Sequence, residues 1–551
     1  MRATLLLLFL LCLAPDAPVF ADDRDIPSRI GRLDLVSGEV SFRLLNDSVW
    51  SEAGFNYPVC TGMTLSTDGK ARAEINIGPN ALQMSSDTLL EVTTLSNRLT
   101  DIALHRGHIH LSLHQIRTGE TIQLELPNGS IWVLEAGRYE VDLSTGDTPT
   151  RIGVLDGKAR FVAAGKDVDI ATNQQAVLHE DETITVNDAS KAVPSAFRAG
   201  TPVPADDGFI NWAAGRDALP ISEAPNNLAR DTSGYETLDA YGEWQNSDTY
   251  GRVWFPGGLP ADWQPYRFGH WVSVQPWGPT WIDDQPWGFV PFHYGRWAMI
   301  DGRWGWVPGN AEKRAVYAPA LVAFIGSGDD ALVIDDSGTP AVAWVPLAPD
   351  EPFEPWYPAD QDYIESVNAG SVRDFHGLSR ERLTEMRRTE RIDGFGNGHF
   401  TTAVSRAAFA SARPVAAAML HATPERLGRA PMMAGAPRFG LTEGRRAAPD
   451  PATRMGEAHA PANAPLANHP AQMPAGARPE GPTRPAAAPG PGYHPITPAV
   501  RPTQVAQPRM TAPAFRPQPA PFRMPVPSRP AFVARAAPAP HISAASGGRH
   551  R

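Results

Sequence analysis

The heptapeptide PFHYGRW at residues 291–297 repeats PYRFGHW at residues 265–271, type for type: proline, aromatic, basic, aromatic, glycine, basic, tryptophan. A looser copy, LDAYGEW, ends at Trp244, and Trp244, Trp271 and Trp297 are almost evenly spaced along the chain. Recurrence at such a spacing, in the range of roughly 20–50 residues, means stacked supersecondary units. The stretch around the last copy, WIDDQPWGFVPFHYGRW, holds six aromatic residues, two prolines and two glycines, and has no helical period.

Each copy reads as a hairpin. After Trp297 comes AMIDGRWGW, where Asp301-Gly302 signals a two-residue type I′ turn. That turn sets Trp297 opposite Trp306 and Met299 opposite Trp304, since opposed positions sum to 603. Trp271 and Trp281, like Trp244 and Trp254, lie ten apart, which suits an odd-length loop. A cross-strand Trp pair adds about 0.5–1.5 kcal/mol beyond its area burial. Two uses of the rings stay open. They bury against the next hairpin, with Gly269 or Gly295 letting a ring lie over the backbone. Or Trp244, Trp254, Trp271, Trp281, Trp297, Trp304 and Trp306 form an aromatic binding face for sugars or a quaternary ammonium group.

The hairpins are one part of a 551-residue chain with 55 prolines and 48 glycines, too many for uniform compact packing. Met1-Arg2, the apolar run from Leu5 to Leu13 and Val19-Phe20-Ala21 before Asp22 describe a secretory signal peptide cleaved after Ala21. No later run approaches the ~20 apolar residues of a membrane span. The expected location is therefore periplasmic or secreted, with no transmembrane segment after cleavage. Cys60 is the lone cysteine of the mature chain, so no internal disulfide is available and it reads as a small buried hydrophobe.

Residues 30–190 alternate apolar and polar with a period of two, as in RLDLVSGEVSFRL and TIQLELPNGSIWVLEAGRYEVDL. The pattern specifies strands with one buried face, in a β-sandwich or a short β-solenoid. Residues 191–235 are linker-like, with FINWAAGRDAL able to form a short helix. From Met419 the chain turns to Ala, Pro, Arg and Gly, a composition that cannot bury enough apolar surface to order itself, so 419–551 is expected to be disordered. Between Thr401 and Arg551 there are 18 Arg and no Lys against five acids, about +13, which leaves about −24 for the rest (−11 − 13). Such asymmetry points to tail and body associating, or to capture of an anionic envelope polymer.

Two resemblances follow from these stretches. LVSGEVSF, GMTLSTDGKARAEINIG, TLLEVTTLS and RIGVLDGKARFVA resemble the periplasmic domain of FecR-type proteins. This implies an all-β exported fold over residues 30–190. The best-known members carry a cytoplasmic anti-sigma segment and a membrane helix ahead of that domain; here a signal peptide stands in their place, so only the fold carries over. Residues 240–418 resemble a domain family of unknown function in exported bacterial proteins. The resemblance rests on the YGxW repeats, on Trp281 to Trp297, and on Trp344-Val345-Pro346-Leu347-Ala348-Pro349-Asp350-Glu351. That family often follows a FecR-like domain, and it brings no activity with it. The first copy departs most, with Glu243 in place of the basic residue.

The sequence holds no nucleophile elbow, zinc-protease motif, phosphate loop or cysteine pair for zinc. Asp283-Asp284, Asp329-Asp330 and Asp335-Asp336 read as solvated turns rather than calcium loops. A strand would point His270 away from the face of Trp271 and put His293 on the face of Trp297, both in structural roles. Met432, Met433, His459, His469 and His494 match no chelating spacing. The expectation is a mainly β, non-enzymatic envelope protein with no cofactor and no bound metal, which binds or scaffolds. Its partners would be an anionic envelope polymer or polysaccharide, reached through the basic tail or the aromatic face, or other envelope proteins, and not nucleic acid. The competing classes are a carbohydrate-active enzyme and a FecR-like sensor.

Overall fold

The alternating segment folds into two pleated layers that share the long strand Leu99–Leu113. In the computed structural model the described residues are 26–437, apart from 46, 144–148, 164, 180, 189–207, 220, 221, 223, 230, 327–331, 335–337 and 423, together with 448. The signal segment, most of the expected tail, Asp329-Asp330 and Asp335-Asp336 lie outside them.

One layer runs, by pairing, Pro58–Val59, Gly31–Ser37, Arg72–Ile77, Asn80–Met84, Leu99–Leu113, Gly137–Leu143, Thr150–Asp156, Gln174–Leu178 and Ile184–Asp188. The other runs Ser51–Glu52, Val40–Leu44, Met63–Thr67, Leu89–Leu95, again Leu99–Leu113, then Thr121–Leu126, Gly129–Val133, Lys158–Ala163 and Lys166–Ala171. Of these pairings only Thr121–Leu126 with Leu99–Leu113 is parallel. A solenoid stacks its strands in parallel, so the architecture is the sandwich of the two alternatives. The inward phase of the alternation, including Leu33, Ile75, Ile109 and Val141 of one layer and Leu65, Ile102, Leu124 and Phe161 of the other, belongs to one buried cluster. Cys60 is buried in the same cluster, and burial pushes its thiol up to about 12.

FINWAAGRDAL does form a helix, Gly208–Asp217, which lies on the outer side of the first layer. There a cross-strand row of Glu74, Gln83, His110 and Glu140 faces outward. Arg216 of the helix donates to both Glu74 oxygens at 2.6 Å, and His110 Nε2 lies 3.0 Å from Asp217 Oδ2.

In the aromatic region the three hairpins form in the expected register: Trp244 opposite Trp254, Trp271 opposite Trp281, Trp297 opposite Trp306 and Met299 opposite Trp304. The first two close through three-residue loops followed by left-handed glycines, Gly251 (φ 70°) and Gly278 (φ 75°). The third turns on Asp301 (φ 50°) and Gly302 (φ 77°), as a type I′ turn requires. Sequence neighbours are not sheet neighbours, however. The first and third hairpins join edge to edge at Trp254–Trp306, and the second stands as its own two-stranded sheet.

The ordered body extends past the expected boundary at 418. Met419 bridges Val404 and Met432 bridges Ile325, Pro424–Arg429 is helical, and Met432 and Met433 are buried. These apolar side chains find a place in the core that composition alone does not reveal.

Candidate functional site

Joining hairpins one and three lines up Trp244, Trp254, Trp306 and Trp297 directly opposite one another across four strands. The rings face inward. Trp254 packs edge-on against Trp287 at 5.0 Å, Trp271 against Trp281 at 5.5 Å and Trp344 at 5.4 Å, and Trp297 against Trp263 at 5.4 Å. Of the seven tryptophans considered as a binding face, Trp254, Trp271, Trp281, Trp297, Trp304 and Trp306 are buried, and only Trp244 keeps partial exposure. A platform for a ligand from solution is therefore not where these rings lie. They act as core, adding large apolar area to short strands that also bury Val253, Val272, Val274 and Ile282.

The glycine two residues before the tryptophan in each copy explains the motif. A Cβ on Gly242 would sit 2.4 Å from the Trp254 ring, one on Gly269 2.6 Å from the Trp281 ring, and one on Gly295 2.7 Å from Trp306 Nε1. In each hairpin the tryptophan of the returning strand lies over the glycine of the outgoing one. The indole N–H then finds an acceptor close by: Trp254 donates to the Leu238 carbonyl at 3.1 Å, Trp306 to the Tyr294 carbonyl at 2.8 Å, and Trp281 to Asp283 Oδ2 at 3.1 Å.

The last bond corrects the reading of Asp283 as a solvated turn. Its carboxylate is buried, also accepts from Gln285 N at 2.9 Å, and burial holds it well above the usual range. His293 is corrected as well. It ends a helical turn, Phe289–His293, and not a strand. Its Nδ1 lies 2.8 Å from the Ala318 carbonyl, its ring stacks on Tyr317, and burial pulls it down to about 3.

Arg296, the basic residue before Trp297, is buried and reaches no carboxylate among the described residues. It donates to the carbonyls of Gly295 (2.8 Å) and Glu351 (3.1 Å) and to Asn368 Oδ1 (3.1 Å). Burial lowers its guanidinium to about 10. Glu351 in turn accepts from Ala348 N and Gly396 N, both at 2.7 Å. The repeat's arginine and the later glutamate thus fasten loops together through backbone groups.

A second polar set fastens the sandwich to the hairpins. Arg32 donates to Asn56 Oδ1 (3.0 Å) and to the carbonyls of Gly234 and Pro286. Asn56, at φ 63°, donates to the carbonyls of Asp283 (3.0 Å) and Gln285 (2.8 Å). Next to the hairpin sheet an open hollow of 360 Å³ is lined by Tyr241, Gly242, Glu243, Phe255 and Arg303, with Glu243 and Arg303 paired at 2.9 Å.

On the sandwich, sequence reasoning missed Trp132 and Asp101. Trp132 stands exposed between inward Ile131 and Val133, and Asp101 is buried on the outer side of the second layer. The signal was there: an aromatic on the polar phase of a period-two strand is out of place.

No curated protein matches the chain. Two crystal structures of a candidate anti-sigma factor from Parabacteroides distasonis align over 99% of their chain and 35% of this one, at 12% and 13% identity and a TM-score of 0.22. Residues 235–351, from just before the first YGxW copy to Glu351, match the profile of a family of unknown function (DUF6600).

Proposed function

We propose that the chain is a non-enzymatic, exported envelope protein that binds or scaffolds, with a FecR-like sandwich at residues 30–190 as its N-terminal domain. The observation that carries this reading is the polar seam. Arg32 donates to the Pro286 carbonyl and Asn56 to the carbonyls of Asp283 and Gln285, which fixes sandwich and hairpins together. With the indoles spent on internal packing, what the body offers a partner is the outer side of its sheets. The arginine-rich segment from 449 onward adds a sequence-encoded positive charge suited to an anionic envelope polymer.

The test is sedimentation of the full-length protein, and of a form ending at 437, with isolated envelope material at low and high salt. Attraction between exposed charges is screened within about 8 Å at physiological ionic strength. Tethering by the tail therefore predicts binding that weakens steeply with salt and is lost on truncation. Absence of binding by either form at any salt refutes the reading. Cell fractionation and N-terminal sequencing check export, with Asp22 the expected first residue.

A further inference from the structure

The register of the second layer lines up Thr94, Asp101, Gln123, Trp132, Arg160 and Asp169 in one outward-facing row. The helix Gly208–Asp217 lies on the other layer. Trp132 is 38% exposed, with Nε1 donating to Ser130 Oγ at 3.2 Å, and Leu134, on the same side, is 45% exposed.

The charges of the row are unequal in their freedom. Arg160 Nε reaches Asp169 Oδ1 at 2.7 Å and Asp167 Oδ2 at 4.0 Å, and Lys158 Nζ reaches Asp169 Oδ2 at 2.8 Å, so the two cations already face two acids. Asp101 is only 7% exposed; its Oδ1 is buried with no hydrogen-bond partner among the described residues, so it is Oδ2 that a ligand from solution would meet. Burial, with Glu125 adding repulsion, pushes its carboxyl up to about 6. An acid whose folded pKa is raised loses stability as pH climbs from 3.8 through 6, so at neutral pH Asp101 is held at a cost to the free protein. A buried carboxyl without a donor calls for an explanation, and on an outward face a ligand hydroxyl could supply the donor.

The row therefore offers an exposed ring face, an unused carboxylate acceptor and a carboxamide, with its cations taken. A polyanion finds no spare positive charge here. An uncharged ring bearing hydroxyls finds a stacking surface on Trp132, an acceptor for an O–H at Asp101, and both donor and acceptor at Gln123. Pleated strands about 4.8 Å apart give a flat surface and not the enclosed pocket a small ligand needs, so affinity has to come from a chain repeating the contact. We propose that this face binds a neutral polysaccharide across Asp101, Gln123 and Trp132. The proposal rests on the binding reading above and names a site and a ligand class for it.

The experiment is affinity electrophoresis of the full-length protein through gels containing hydroxyethyl cellulose, mixed-linkage β-glucan or galactomannan, with salt varied. Retardation by at least one polymer, insensitive to salt, is expected. Trp132→Ala and, as a second variant, Gln123→Ala should melt like wild type, and Trp132→Ala should bind roughly tenfold more weakly. Asp101→Asn should bind several-fold more weakly yet melt higher at neutral pH, so that its loss of binding cannot come from a weakened fold. Trp244→Ala should leave retardation unchanged. Retardation in none of the gels, retardation abolished by salt, or loss with Trp244→Ala but not with Trp132→Ala overturns the proposal. Envelope sedimentation reads the tail separately, so it can still succeed when this site fails.

Discussion

Gly269→Ala isolates the packing of indole over glycine from every other role glycine plays. Gly269 is not in the left-handed region, so alanine adds no backbone strain there. The added Cβ would lie 2.3 Å from the Ile282 carbonyl oxygen, 2.6 Å from Trp281 Cζ2 and 2.9 Å from Trp281 Cε2. Neither obstacle is the loose end of a flexible side chain. One is partner-strand backbone, and the other is a ring held by its bond to Asp283 and by contacts with Trp271 and Tyr266. Overpacking of a tight core costs about 1–3 kcal/mol, and the top of that range is expected here. With an unfolding entropy of ~2.1 cal/mol/K per residue over roughly 400 ordered residues, ~3 kcal/mol lowers Tm by about 3–4 °C. The assay is thermal unfolding followed by near-UV circular dichroism, where coupled indoles dominate. Gly215→Ala, in a helix with nothing within 4 Å of the new Cβ, is the control and should melt at or slightly above wild type. In a Trp281→Ala background the cost of Gly269→Ala should shrink, because one of its two obstacles is gone. A Gly269→Ala protein that melts within a degree of wild type, or the same cost in both backgrounds, would refute the account of why the repeat contains glycine.

Truncation after 437 should leave the melting temperature of the body nearly unchanged, whereas truncation after 418 should lower it by several degrees, since it removes buried Met432 and Met433 and the Phe324–Met433 backbone bond (2.9 Å). Trp297→Ala should destabilise by ~3–5 kcal/mol and Trp244→Ala by much less, as denaturant titration will show. A Trp297→Ala protein that melts normally would mean the ring is not core. His293 is neutral in the fold, with its ordinary pKa of 6.5 depressed to about 3. Unfolded chains take up the proton first, so the stability it contributes is full above 6.5 and drains as pH falls toward 3, by up to about 4 kcal/mol. His293→Gln should flatten stability against pH over that window, and a curve parallel to wild type would exclude His293 as the acid-sensitive group.

Much of the local structure was legible because it depends on local rules. Alternation fixes which side of each sandwich strand is buried, and turn chemistry at Asp301-Gly302 fixes the register that sets Trp297 against Trp306. What escaped depends on contacts distant in sequence. Nothing in the repeat says that hairpin one pairs with hairpin three, since that choice is made where Trp254 meets Trp306, with the whole second hairpin between them in the chain. Asp283 looked solvated because an acidic pair after a strand usually is; the Trp281 indole, two residues back, and the distant Asn56 clamp bury it. Met432 and Met433 looked like tail because composition averages over a window and a docking segment is shorter than the window. The face around Trp132 was readable in principle, but an aromatic on the wrong phase of a strand gains meaning only once its neighbours across the sheet, Gln123 and Arg160, are known.

The two full copies of the heptapeptide finally show why the repeat exists and why it is not a repeat of structure. Position for position Tyr266 corresponds to Phe292, and these two rings meet edge-on at 4.8 Å, with Tyr266 Oη donating to the Phe292 carbonyl at 2.7 Å. The copies therefore pack through their own equivalent residues, as self-complementary units do. Their backbones differ at that point: Tyr266 takes φ 58° in a turn, while Phe292 lies in a helical turn. The basic positions diverge further. Arg267 bonds the Asp262 carbonyl at 2.6 Å near the surface, while its counterpart His293 is buried and neutral. His270 sits 3.9 Å from Asp284 at the edge, while its counterpart Arg296 is buried on carbonyls. The tryptophans, and the glycines as seats for the facing indole, keep one role in both copies, although Gly295 also takes φ 65° and Gly269 does not. Exchanging the basic residues tests this. His293→Arg would force a charge into a site with no carboxylate and should prevent folding, whereas Arg267→His, at the matching position of the other copy, should melt within a few degrees of wild type. Equal effects from the two exchanges would mean that the copies are equivalent in structure after all.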